Sequence, residues 1–304
     1  MAKKTLILLI FVANLHGFDK IGTKAAQFVK LDDSPTSCVA LPMDALGLWH
    51  NPSSVELSNG MSFGATYLRL PLGVQWGAVG FATKAWKYGT VGFYALGYNS
   101  GRIEITTEEQ PEGTGLYYTT GGTVLGAALT TQLSAWFQFG VTGKLITEHV
   151  YHESARTVAL DVGGTTVLED FGNLRLSAVI ANLGGAMKLS GADLMLSDSI
   201  ELITESFRLP TRFKFGAALP LSHGWLFAEL FHDASLYEGL KFGGLWHIAD
   251  ALQLTGGVSI TPFDTREEFG FALKVPNRGI SVLYRVEHGS PIGLLHRVSL
   301  NLTR

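Results

Sequence analysis

The sequence predicts an all-β fold: a transmembrane antiparallel β-barrel of about 14 strands, preceded by an N-terminal plug or hatch segment. Three observations point there. Charged residues make up 16% of the 304-residue chain while glycine is abundant at 36 residues, against the ~25% charge of an ordinary soluble domain. No apolar run after the first residues approaches the ~20 residues of a membrane helix. From Met61 onward, segment after segment alternates apolar with polar or small residues, the period-two signature of a strand with two different faces.

The chain divides into three parts. Residues 1–17 read as a signal peptide, with Met1-Ala2-Lys3-Lys4 as a positive n-region, an apolar core from Thr5 to Ala13, and a cut between Ala13 and Phe18. Residues 18–60 contain no clean strand. Their apolar content (Phe28, Val39, Leu41, Leu46, Leu48, Trp49) is too high for a disordered tail, so a plug folded into a lumen is expected. Residues 61–304 form the barrel.

The alternating runs fall near 61–70, 74–84, 88–105, 116–130, 136–149, 156–168, 174–182, 209–219, 224–233, 239–248, 251–261, 267–275, 279–288 and 293–303. Most match the ~9–11 residues of a tilted membrane strand, and the number is even, as in bacterial single-chain barrels. Several connections are short, such as Pro71-Leu72-Gly73, while the stretch from Gly184 to Arg208 is long and is expected to hold a short helix around Asp198 to Glu205. A soluble propeller or sandwich would also alternate. The export signal, the absence of a blade-length repeat and the aromatics on the apolar parity (Phe63, Tyr67, Phe137, Phe139, Trp246, Phe271) favour lipid outside.

With the apolar parity in lipid, the other parity faces the lumen. Its charges are Lys144, Asp161, Arg175, Arg212, Lys214, Glu229, Lys241, Lys274, Arg285, Glu287 and Arg297, because an Arg or Lys on the lipid side at mid-depth would cost ~2–4 kcal/mol. Basic groups outnumber acidic ones, and these charges are expected to pair with one another or with the plug. Net charge is −3, which excludes a polybasic nucleic-acid binder. The lone Cys38 excludes an internal disulfide and a zinc ribbon. No G-x-S-x-G, P-loop or H-E-x-x-H pattern is present, and His149 and His152 stand three apart, on opposite faces if on a strand. No enzyme, cofactor or metal is expected.

Ala25-Ala26-Gln27-Phe28, followed by Asp44-Ala45 and then Trp49-His50-Asn51-Pro52-Ser53, resembles the N-terminal hatch of the PorV/PorQ family, itself similar to FadL-type barrels. Weaker matches follow in order: Ala159 to Gly163, Ile180 to Gly184, and Leu209-Pro210 with Arg212 and Gly216. Asn51, Pro52 and Ser53 stand where the family has Asn-Pro-Ala. The resemblance implies a 14-stranded bacterial outer-membrane barrel that acts as a type IX secretion-associated shuttle, with secreted cargo proteins and other secretion components as partners beside outer-membrane lipid. The other reading is a FadL-like channel for hydrophobic or small solutes. That route needs an apolar pocket, and a lumen rich in basic groups argues for the shuttle.

Overall fold

The computed structural model describes residues 26–31, 33–57, 60–87, 89–191, 195–197, 200–201, 204–233, 237–289 and 293–304. The leader expected over 1–17 and the first part of the 18–60 segment lie outside the described residues.

Fourteen strands form one antiparallel ring: β1 (Met61–Arg69), β2 (Gln75–Trp86), β3 (Gly89–Asn99), β4 (Thr120–Ser134), β5 (Phe137–Val150), β6 (Glu153–Leu168), β7 (Leu174–Gly184), β8 (Arg212–Leu221), β9 (Gly224–Asp233), β10 (Tyr237–Ala249), β11 (Leu252–Ile260), β12 (Thr265–Val275), β13 (Ile280–Gly289) and β14 (Gly293–Thr303). Each pairs with its neighbours in sequence, and β1 pairs with β14 from Ser62↔Thr303 to Arg69↔His296, which closes the ring. Closure matters because lipid offers no partner to an unpaired backbone group, so an open edge cannot face hydrocarbon.

Both ends of the ring chain, Met61 and Thr303, lie at one rim. The connections at that rim are short, the longest running from 169 to 173, whereas the opposite rim carries the connections 100–119 and 185–211. Short turns are periplasmic and long loops extracellular in barrels of this kind, which sets the orientation.

Three sequence expectations are corrected. The run 88–105 is not one strand: β3 stops at Asn99, whose Oδ1 accepts from the Gly101 N–H at 2.7 Å while Gly101 turns the chain at φ 73°. The run 116–130 also splits, since Tyr117–Tyr118 pairs with Ile103–Glu104 as a small extracellular ribbon and β4 starts at Thr120 and continues to Ser134. Within 198–205, Ile200–Glu201 pairs with Met195–Ser197 as a second ribbon in place of the expected helix turn; 198–199 and 202–203 lie outside the described residues.

The two parities separate cleanly. Phe215 is 47% exposed and Leu254 44% exposed on the outer surface, while Thr255, next to Leu254, is buried on the inner one. Phe63, Tyr67, Trp246 and Phe271 also lie on the outer surface. An outer surface this apolar belongs in a bilayer, and the chain is an outer-membrane β-barrel. Phe215→Arg should cost ~2–4 kcal/mol and Leu254→Arg, nearer the periplasmic rim, less, both read as a lower urea midpoint for the compact form on unheated gels. Gln253→Arg, on the half-buried inner parity near the periplasmic rim, should leave that midpoint within experimental error. Equal losses in all three would contradict the assignment of faces.

Candidate functional site

Inside the ring lies the N-terminal segment, residues 26–57, built from short 3-10 turns (Gln27–Lys30, Ala45–Gly47, Pro52–Ser54) and extended links. It runs from the extracellular half of the lumen, where Ala26 N–H donates to Glu148 of β5, to the periplasmic rim, where it leads into Met61.

Its principal electrostatic attachment is Asp33. The carboxylate meets Arg212 Nη2 at 2.5 Å, Lys214 Nζ at 3.0 Å and Lys241 Nζ at 2.5 Å, all three cations from the β8 and β10 walls. Burial raises the Asp33 pKa, but Arg212, Lys214 and Lys241 outweigh it and hold the carboxyl well below its ordinary value. A depressed pKa means that the pairing is present above the usual carboxylate range and is lost only as pH falls through the depressed value. Lys241 also meets Glu229 at 3.0 Å, and Glu229 in turn accepts from the Val39 N–H at 2.7 Å. Around this hub, Lys30 pairs with Asp233 at 2.8 Å, Thr36 donates to Glu268 at 2.9 Å, and Arg175 pairs with Glu56 at 2.6 Å.

Asn51, Pro52 and Ser53 form the second attachment. Pro52 fixes its own φ and pushes Asn51 to an extended conformation, observed at φ −156° and ψ 109°. Asn51 then caps the turn: its Oδ1 accepts from the Ser53 N–H at 2.9 Å and from Ser53 Oγ at 2.8 Å, while its Nδ2 donates to Val39 O at 2.7 Å. Ser53 Oγ lies 2.8 Å from Thr165 Oγ1 of β6, and Pro52 O accepts from Thr130 of β4.

The barrel wall makes room for this turn with glycine. A Cβ at Gly140 would stand 2.4 Å from Pro52 C, and one at Gly163, directly opposite on β6, would stand 2.2 Å from Asn51 Oδ1. The same holds at Gly80 beneath Ala45 and at Gly216 beneath Cys38 and Val39. The glycine abundance that, with the low charge, pointed to a membrane barrel therefore also fits the inner wall to the segment.

Three stretches singled out separately in the sequence converge in space. At a bulge between β6 and β7, Asn182 adopts φ 62°. Its N–H donates to Asp161 at 2.7 Å and its Nδ2 to Pro210 O at 2.9 Å, while Lys144 Nζ meets Asp161 at 2.7 Å and also donates to Asn182.

The remaining charges also sit on the inner parity. Arg285 reaches Ser34 and Thr36 and lies 3.4 Å from Glu268; Glu287 pairs with Arg266 at 3.0 Å; Arg297 donates to Leu31 O at 3.4 Å and lies over Trp76. Lys274 stands at the periplasmic rim, its Nζ 3.0 Å from His247. His149 ends β5, and His152 occupies the next hairpin turn, so they are not paired on one strand face.

Two features were missed in the sequence. Asp33 was not singled out, although the surplus of basic lumen groups called for an acid from the segment. Nor is the whole lumen polar. The charges concentrate on β7 to β14, whereas the inner wall from β1 to β6 carries Leu68, Trp76, Ala78, Ala82, Tyr94, Leu96, Val124, Ala128 and Ile146, against which Ala26, Phe28, Ala45, Leu48 and Val55 of the segment pack. Alternation reports which side of a strand faces inward; it does not show which strands share a side of the ring. At the junction of the two halves, a cavity lined by Asp33, His50, Tyr94, Lys144, Asn182 and Arg212 has a volume of only about 30 Å³, room for about two waters.

No family model and no curated protein matches the sequence. Solved structures do match the fold. The chain is similar to the CymD monoaromatic hydrocarbon channel, with a TM-score of 0.66 at 10% identity over 88% of this chain and 95% of that one. It is also similar to the Pseudomonas putida toluene transporter TodX, with a TM-score of 0.61 at 11% identity over 87% and 93%. A Pseudomonas aeruginosa FadL homologue gives 0.57 at 10% identity over 87% and 95%. The chain has the fold of FadL-like outer-membrane barrels.

Cys38, the chain's one cysteine, reports on the segment's seating. Burial pushes its thiol up to about 12, and Sγ lies 3.7 Å from Ala228 O of β9. In the folded protein Cys38 should resist maleimide. Asp33→Asn leaves buried cations short of a charge partner, a loss of about 3–5 kcal/mol, and should expose Cys38 to labelling while the barrel still migrates as a compact species. Gly163→Leu should do the same by displacing Asn51. Unlabelled Cys38 in both folded variants would show that neither contact seats the segment.

Proposed function

We propose that this barrel is an outer-membrane channel for hydrophobic solutes and that residues 26–57 are its hatch. The observation that carries the reading is the apolar inner wall of β1 to β6, covered by the apolar side chains of the segment. With the segment displaced, that wall is the lining an apolar solute requires. The charged half of the lumen then serves as the anchorage of the hatch through Asp33, Glu56 and Lys30. The similarity in fold to channels described as carrying monoaromatic hydrocarbons and toluene supports this class of solute.

A second reading, the PorV-like secretion shuttle with secreted cargo proteins as partners, rests on the Asn51-Pro52-Ser53 motif and on the long extracellular connections 100–119 and 185–211. It requires no solute path, and co-purification of secreted proteins sharing one C-terminal domain would favour it.

Cells carrying the barrel in their outer membrane should take up radiolabelled toluene faster than vector controls, and deletion of 26–57 should raise single-channel conductance in planar bilayers. Uptake equal to the vector control, with folded barrel present, would sink the channel reading. Unchanged conductance in a folded deletion would remove the hatch.

A further inference from the structure

The outer wall carries a feature that neither the lumen nor the hatch uses. On the lipid-facing side of β14, β1, β2, β3 and β4, Ala65, Gly77, Ala95 and Gly97 form the floor of an apolar groove of about 630 Å³, rimmed by bulkier neighbours such as Tyr67, Leu125 and Val298. All these positions lie in the middle or extracellular half of their strands. One outward-facing position above Tyr67 and Val298, Arg69 of β1 and His296 of β14 stand opposite each other as paired residues, and both are exposed. Among the described residues Arg69 makes no hydrogen bond or ion pair. His296 Nδ1 lies 2.7 Å from Tyr284 Oη, with the two rings stacked at 27°. With the tyrosine donating, the imidazole proton sits on Nε2 and is free to donate. At the same level the surface continues through neutral Gln75 and Asn99, each the cross-strand partner of the last.

A guanidinium with unused donors at the extracellular end of the wall offers an anion several charge-assisted hydrogen bonds. An arginine fork and an imidazole donor side by side match a phosphate monoester, and the groove directly beneath continues from that phosphate toward the bilayer centre. We propose that this surface binds one molecule of lipid A, the phosphorylated glucosamine lipid of the outer leaflet, with a phosphate on Arg69 and His296 and one acyl chain along the Ala65–Gly77–Ala95–Gly97 floor. The leaflet decides the occupant: Arg69 and His296 stand at the extracellular end, where glycerophospholipid phosphates of the inner leaflet do not reach. The inference is independent of what passes through the lumen.

The test is native mass spectrometry of the full chain in detergent, titrated with bis-phosphorylated lipid A or with phosphatidylglycerol. Wild type should retain one lipid A, and phosphatidylglycerol at the same concentration should be retained at least ten-fold less. Arg69→Glu with His296→Ala should lower lipid A retention at least ten-fold, as should Ala95→Phe, which fills the groove without touching Arg69 or His296. The milder pair Arg69→Gln with His296→Gln adds no charge to the lipid face and serves the same comparison if the first pair fails to give the compact species on unheated gels. Equal lipid A retention in wild type and the folded variants would overturn the proposal, and so would phosphatidylglycerol retained as firmly as lipid A.

Discussion

The β1–β14 seam is the constraint on which everything else rests. A hydrocarbon environment leaves no substitute partner for a backbone N–H or C=O, so a fourteen-stranded sheet in lipid must join its first strand to its last. Once the ring is closed, the side-chain period of two leaves one surface for lipid and one for the interior. The interior is then too wide for strand side chains of modest size to fill alone. The segment 26–57 fills it, and the wall responds with glycine at Gly80, Gly140, Gly163 and Gly216, where any Cβ would overlap the segment.

Two kinds of force hold the segment, and they divide by side. Against β1 to β3 the contact is mainly apolar and non-directional, so another apolar body can replace it at little net cost, whereas β4 to β6 add hydrogen bonds to Pro52, Ser53 and Ala26. Against β7 to β13 it is ionic and directional around a small apolar patch of Cys38, Ala40 and Leu41 on Ala218 and Phe227, and removing one ionic partner strands its counter-charges away from water. In the proposed channel, a hatch held this way would loosen along β1 to β3 while the Asp33 side stays fixed. Under the proposed channel function, that asymmetry favours a solute path between the segment and strands such as β2 and β3.

Much of the fold was legible in the sequence because alternation is a local property. Runs such as 251–261 and 293–303 declare both the strand and the side each residue faces, and the lumen charges follow from parity alone. Where a strand ended was harder to read, since the break at Asn99 depends on a side-chain turn with Gly101 that interrupts an otherwise continuous pattern. The partners of the charges were not legible. Arg212, Lys214 and Lys241 come from two strands, and only the ring's curvature together with the path of the segment brings Asp33 to all three. Lys144, Asp161, Asn182 and Pro210 make the same point: each is unremarkable in its own stretch, and the bulge at Asn182 assembles them.

The position of Asp33 also bears on how such a barrel is assembled. Arg212, Lys214 and Lys241 project from two strands separated only by β9, and until the carboxylate arrives they repel one another across a narrowing interior. A ring that closed with its interior empty would leave those three cations only Glu229 and Asp233 of the wall as counter-charges, and the long segment would then have to be threaded through a finished cylinder. A barrel sealed without its segment would carry the missing Asp33 carboxylate as uncompensated positive charge on its inner wall.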